Sequence, residues 1–171
     1  EWFVGVRYLS VAERLRIDAQ RDLEQTGGGF GTESGYYDLS TRNNLFGPQI
    51  GARVRRWDNR LGWEASGKVG VFYNDAQQYQ EIIDYDDFLF RERIGDSGST
   101  VAYMGELNVT GLFRLNDVWN LRAGYNVMWI GGLALAPDQL DFSSDIDAGQ
   151  QLDRTGGVFL HGVNLGIEAR W

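Results

Sequence analysis

Residues Tyr103–Trp129 read YMGELNVTGLFRLNDVWNLRAGYNVMW. Apolar side chains fall on every second position on both sides of a polar corner. Tyr103, Gly105, Leu107, Val109 and Phe113 alternate with Glu106, Asn108, Thr110 and Arg114. Trp119, Leu121, Ala123, Tyr125, Val127 and Trp129 alternate with Asn120, Arg122, Gly124, Asn126 and Met128. A period of two sends alternate side chains to opposite faces of a strand. Asn116-Asp117, between the two runs, is turn chemistry. The stretch therefore predicts a hairpin with one greasy face and one polar face. Tyr103 and Phe113 stand ten residues apart, as do Trp119 and Trp129. A strand crosses a bilayer in about 9–11 residues, so each pair brackets one membrane thickness.

The pattern extends outward from this hairpin. Trp2, Val4, Val6 and Tyr8 share a face; so do Phe46, Pro48, Ile50, Ala52 and Val54. Trp63, Ala65, Gly67, Val69, Val71 and Tyr73 repeat it, with Trp63 and Tyr73 again ten apart. The last run, HGVNLGIEARW, alternates from His161 to Trp171. Six antiparallel strands are expected. Their connections alternate between short turns (56–60 and 115–118) and long loops (19–42, 75–100 and 131–156). A soluble sandwich produces the same alternation along its strands. Strict short–long connections are the habit of outer-membrane barrels, with short periplasmic turns and long extracellular loops. The fold expected is an all-β antiparallel transmembrane β-barrel of outer-membrane type. On that topology Trp2, Trp63, Phe113, Trp119 and Trp171 fall at the periplasmic edge. Tyr8, Phe46, Tyr73, Tyr103, Trp129 and Phe159 fall at the outer edge, giving two aromatic girdles.

Composition narrows the function classes. The 171 residues carry a net charge of −8, which argues against a nucleic-acid partner. Cysteine is absent and histidine occurs once, which removes thiolate chemistry and histidine-rich metal sites. No apolar run approaches the roughly 18 residues of a transmembrane helix, a test that strands escape. Within 20–41, 75–99 and 132–156 lie 16 of the 24 acidic residues and only Arg21, Arg91, Arg93 and Arg154 as bases. Acid is thus expected outside the cell, and arginine within the barrel.

The segments GVRYLSVAERL, NNLFGPQIGARVR, WEASGKVGVFYNDAQQ, GELNVTGLFRLNDVWNLRAGYNVMWIGGLALAPDQLDF and GGVFLHGVNLGIEARW resemble a planctomycete family of outer-membrane β-barrel proteins. The resemblance spans nearly all of the chain except the first two long loops. It implies a bacterial outer-membrane location, lipid as the surrounding partner, and no established activity, cofactor or catalytic residue. The terminal Trp171 after such alternation resembles the signal read by the barrel-insertion machinery. Six strands are fewer than the eight or so of the smallest single-chain bacterial barrels. The six are therefore expected to be the C-terminal part of a barrel of about 8–12 strands. Upstream strands, a hairpin within Gln77–Ile94 adding two strands, or further chains would close it.

The inward parity offers Arg7, Arg53, Arg55, Glu64, Lys68, Glu106, Arg114, Arg122, Glu168 and Arg170. Two readings stand: a water-filled pore biased towards anions, or a lumen closed by interlocking ion pairs. No cofactor is expected. Asp84, Asp86 and Asp87, and Asp138, Asp141, Asp145 and Asp147, are a weak Ca²⁺ signal without EF-hand spacing. His161 shares the parity of Val163 and faces outward, which raises a lipid-acting enzyme as an alternative. A soluble β-sandwich binding module is the other alternative. No outward serine stands out at its height on a neighbouring segment, and a passive or structural barrel without enzymatic activity is the expectation.

Overall fold

A computed structural model describes residues 1–25, 29–84, 89–141 and 149–169, with 21–25, 29–33, 84 and 89–93 as backbone alone. The six strands are β1 (Trp2–Gln25), β2 (Gly29–Asp58), β3 (Leu61–Asp84), β4 (Leu89–Arg114), β5 (Trp119–Leu133) and β6 (Gly156–Ala169). They form a single antiparallel sheet in sequence order, β1-β2-β3-β4-β5-β6. The second layer that a sandwich requires is not present among the described residues.

The sheet curls into half a barrel. Strands in a flat sheet lie about 4.8 Å apart, so β1 and β4 would be separated by roughly three such spacings. Yet Arg7 on β1 reaches Glu106 on β4 at 3.0 Å. Arg55 on β2 reaches Glu168 on β6 at 3.3 Å. These contacts require a concave face onto which the charged parity points.

The two short turns form for local reasons. Asn59 adopts φ 52° between β2 and β3, the left-handed conformation that asparagine tolerates better than most residues. Asn116 Oδ1 accepts hydrogen bonds from the Val118 and Trp119 amides at 3.0 and 2.8 Å. That side chain substitutes for the missing ladder partners at the corner.

The first two long connections differ from expectation. Residues 19–25 and 29–42 continue the β1–β2 ladder, and 75–84 and 89–100 continue β3–β4. The hairpin within Gln77–Ile94 therefore lengthens β3 and β4 and adds no strand. The physical reason is an inversion of polarity. At and below Tyr8, Phe46 and Tyr73 the outward parity is apolar. Above them apolar side chains turn inward: Leu39, Leu45, Ala76 and Ile82 are buried, interleaved with the buried amides and hydroxyl of Asn43, Asn74, Gln78, Gln80 and Thr41. There the outward positions are Arg14, Arg16, Arg42, Ser40, Asp75 and Gln77. The alternation persists, but the greasy face changes sides. In the third connection the described residues 134–141 and 149–155 lie outside the strands, with a 3₁₀ turn at Pro137–Gln139.

Candidate functional site

Inward side chains occupy the concave face in three tiers. Nearest the short turns, Glu64 is surrounded by Arg53 and Arg55 at 3.9 Å and Arg122 at 3.7 Å. Arg55 and Arg122 also reach Glu168, at 3.3 and 3.6 Å. Arg114 packs over the Trp57 ring at 5.0 Å, and Arg55 over the same ring at 5.4 Å. The guanidinium forks hold several carboxylates at once, as arginine geometry allows. In the middle, Glu106 accepts from Lys68 Nζ at 2.8 Å and Arg7 Nη1 at 3.0 Å. Across these two tiers the described inward positions hold six bases and three acids. Arg170 lies outside the described residues.

The third tier is apolar and then polar. Leu45, Phe72, Ala102, Met104, Ile130 and Leu133 form one buried cluster. Leu133 belongs to the stretch that leaves β5 and turns into the concavity. Gly132, at φ 82°, makes that turn, and Val101 O lies 2.6 Å from where a Cβ would sit. The infolded backbone is held by side-chain amides. Asn43 Nδ2 donates to Ala134 O at 2.7 Å, and Asn43 Oδ1 accepts from Ala134 N at 2.8 Å. Asn74 Nδ2 donates to Asn43 Oδ1 and to Gly132 O, each at 2.9 Å. Ala136 N donates to Glu13 Oε2 on β1 at 3.1 Å. Gln139 bridges to Asp153, and Gln78 and Gln80 both donate to Gly149 O. The described parts of the β5–β6 connection thus lie inside the half-barrel.

Parity alone does not reveal this tier. Asn43 and Asn74 are merely polar residues at inward parity, and their partners are backbone atoms some 60–90 residues away. Long side-chain amides above an apolar run were the available signal.

The convex face carries the outward aromatics. Register aligns Tyr8 with Phe46 and Phe46 with Tyr73 in one row. Trp129 pairs with Phe159, and its ring lies 5.0 Å from that of Tyr103. Trp63, Phe113 and Trp119 are exposed on the same face near the short turns, and Trp2, exposed on that face too, pairs with Ala52 farther up β2. Trp171 lies outside the described residues. Between the rows the surface is unusually apolar for water: Val4 is 82% exposed, Val163 72% and Leu165 79%. A contiguous exposed patch of this kind marks a membrane or a partner. The Tyr8 hydroxyl donates to Asn44 Oδ1 at 3.1 Å, where outward polarity begins.

His161 faces outward on β6, as expected. Its Nδ1 lies 2.6 Å from the Tyr125 hydroxyl, and the Phe159 ring stacks beside it. No serine contacts it among the described residues. Of the acidic loop residues, Asp141 accepts from Gly149 N at 3.1 Å. Asp138 is exposed; the Asp84 side chain and Asp86, Asp87, Asp145 and Asp147 lie outside the described residues. No group of three or more histidine, aspartate or glutamate side chains converges on a metal position among the described residues. Above the inversion, the Thr155 amide and hydroxyl hold the Asp153 carboxyl below its ordinary range. Hydrogen bonding by Asp38 raises the Arg14 guanidinium further.

No curated protein and no solved structure matches this chain. A family model does, over residues 1–171, and its description is Putative beta barrel porin-7 (BBP7). With a curled antiparallel sheet, a charged concave face and a match over its whole length, the chain belongs to that beta barrel porin family.

Proposed function

We propose that this chain forms one side of an outer-membrane barrel that passes small solutes, with a basic lumen favouring anions. The observation that carries the proposal is the polarity inversion at the Tyr8–Phe46–Tyr73 row. Below it, apolar side chains cover the convex face, as lipid requires. Above it, the same wall turns its apolar side chains inward, as water requires. One wall crossing from hydrocarbon into water accounts for both halves. The aromatics near both limits then occupy the two interfaces. The excess of six inward bases over three acids supplies the anion preference. The unpaired edges of β1 and β6 pair with further strands, because open edges in lipid leave unsatisfied groups costing several kcal/mol each. Planar-bilayer recording of the full-length protein tests the proposal. Stepwise current with anion preference supports it, and no current in any condition contradicts the pore.

The buried, infolded connection favours a second reading, a surface-exposed structural barrel whose lumen stays closed. Leu133, Ala134 and Ala136 are each no more than 1% exposed within the concavity. The same recording separates the two.

A further inference from the structure

Above the apolar cluster, one register row of the concave face is made of oxygen donors. Glu13 pairs with Thr41, Thr41 with Gln78, and Gln78 with Asp96, across β1 to β4. Directly opposed residues on one face have Cβ atoms about 4.5–5.5 Å apart, so neighbours in the row are within mutual reach of a small ion. Thr41 and Gln78 are 3% and 2% exposed. Thr41 Oγ1 and Gln78 Oε1 nevertheless lack hydrogen-bond partners. Buried oxygens are normally satisfied, and leaving one without a partner is costly. At the β1 end of the row, directly beside Thr41, stands a carboxylate, Glu13. It accepts from Ala136 N, and no base pairs with it among the described residues. The infolded connection closes the space from the other side. It brings Asp141 there through Gly149, whose carbonyl accepts from Gln78 Nε2.

We infer that Glu13, Thr41 and Gln78 form a binding site for a hard divalent cation, Ca²⁺ in preference to Mg²⁺, that fastens the infolded connection to the wall. Carboxylate, hydroxyl and amide carbonyl oxygens are the ligands Ca²⁺ takes in flexible geometry. Mg²⁺ requires near-ideal octahedra and sheds water reluctantly, which suits two buried neutral oxygens and a single carboxylate poorly. The ion supplies what the row lacks: a counter-charge for Glu13 and a partner for both orphaned oxygens. This site is distinct from the acidic loop quartet, of which it shares only the neighbourhood of Asp141. It is also independent of whether the lumen conducts.

The test uses the full-length protein in detergent, stripped with EDTA and titrated with Ca²⁺ and, separately, with luminescent Tb³⁺. Inward-facing Tyr37, two rows above Thr41 on β2, serves as a sensitiser. The expected result is saturable binding of one ion per chain. Glu13→Gln is expected to weaken it at least tenfold and Thr41→Val severalfold. Both variants should keep the wild-type circular dichroism and heat-modifiable migration, and Ca²⁺ should raise the unfolding temperature of the wild type more than that of either variant. Absence of saturable binding in the wild type overturns the site. So does an unchanged affinity in folded Glu13→Gln, since the ion then sits elsewhere. If Glu13→Gln does not fold, Thr41→Val decides by the same criterion.

Discussion

Val69→Arg places a guanidinium on the convex face of β3, and its cost can be worked from the ladder. Trp63 and Tyr73 are separated by ten residue steps on one strand. At about 3.4 Å per residue and a tilt of about 40° they span about 26 Å, the height of an outer-membrane apolar band. Val69 lies four steps below Tyr73, about 10 Å inside that band. A charge near mid-bilayer on a barrel exterior costs about 2–4 kcal/mol. Ser97→Arg is the matched control. Ser97 faces outward on β4 and pairs with Gln77, four steps above Tyr73, where an exposed substitution costs within about 0.5 kcal/mol. Reversible urea unfolding in lipid vesicles, followed by tryptophan fluorescence, measures both. With an m-value of about 2 kcal/mol/M, Val69→Arg lowers the midpoint by about 1–2 M and Ser97→Arg by less than about 0.3 M. Equal, small shifts for the two would refute a lipid-facing band, because a water-facing wall is indifferent to which exposed position receives the charge.

Other parts of the molecule respond in equally specific ways. Arg53→Glu combined with Arg122→Glu turns six inward bases and three acids into four bases and five acids; reversal potentials in a salt gradient should move from anion towards cation preference. Asn43→Leu removes both bonds to Ala134 and strands a buried amide and carbonyl; the expected loss is about 2–4 kcal/mol, with a larger single-channel conductance as the connection loosens. Gly132→Val forces a β-branched residue to φ 82° with Val101 O 2.6 Å from its Cβ; protease sensitivity of residues beyond β5 should rise, and an unchanged digestion pattern would speak against the infolded position. His161→Ala removes the Tyr125 partner; no phospholipase activity should distinguish it from the wild type, and a loss of measurable activity would favour the enzymatic alternative.

Much of the fold is legible because a strand writes its two faces into every second residue. The six strands and both tight turns follow from parity, Asp58-Asn59 and Asn116-Asp117. The upper halves of β1 to β4 are harder to see. Their alternation continues through Leu9, Val11 and Leu15, but on the parity that had been polar below Tyr8. A search for one persistent greasy face ends there and reads the remainder as loop. The inward charges are visible in the sequence, whereas their pairing across the curl is not. That Arg7 meets Glu106, 99 residues away, depends on curvature, which no local pattern encodes. The infolded connection is least legible, since Asn43 and Asn74 bind backbone that could have come from anywhere in the chain.

The polarity inversion is tested most directly by depth. The chain has no native cysteine, so Val69→Cys, Leu107→Cys, Leu165→Cys, Asp75→Cys and Ser97→Cys can each carry one spin label in the full-length protein in lipid vesicles. Collision with oxygen and with a water-soluble nickel chelate reports the medium at each outward site. Labels at 69, 107 and 165 should meet oxygen and be shielded from the chelate, while those at 75 and 97 should show the reverse. Equal access of the chelate to all five sites would contradict a wall that passes from lipid into water at the Tyr8–Phe46–Tyr73 row.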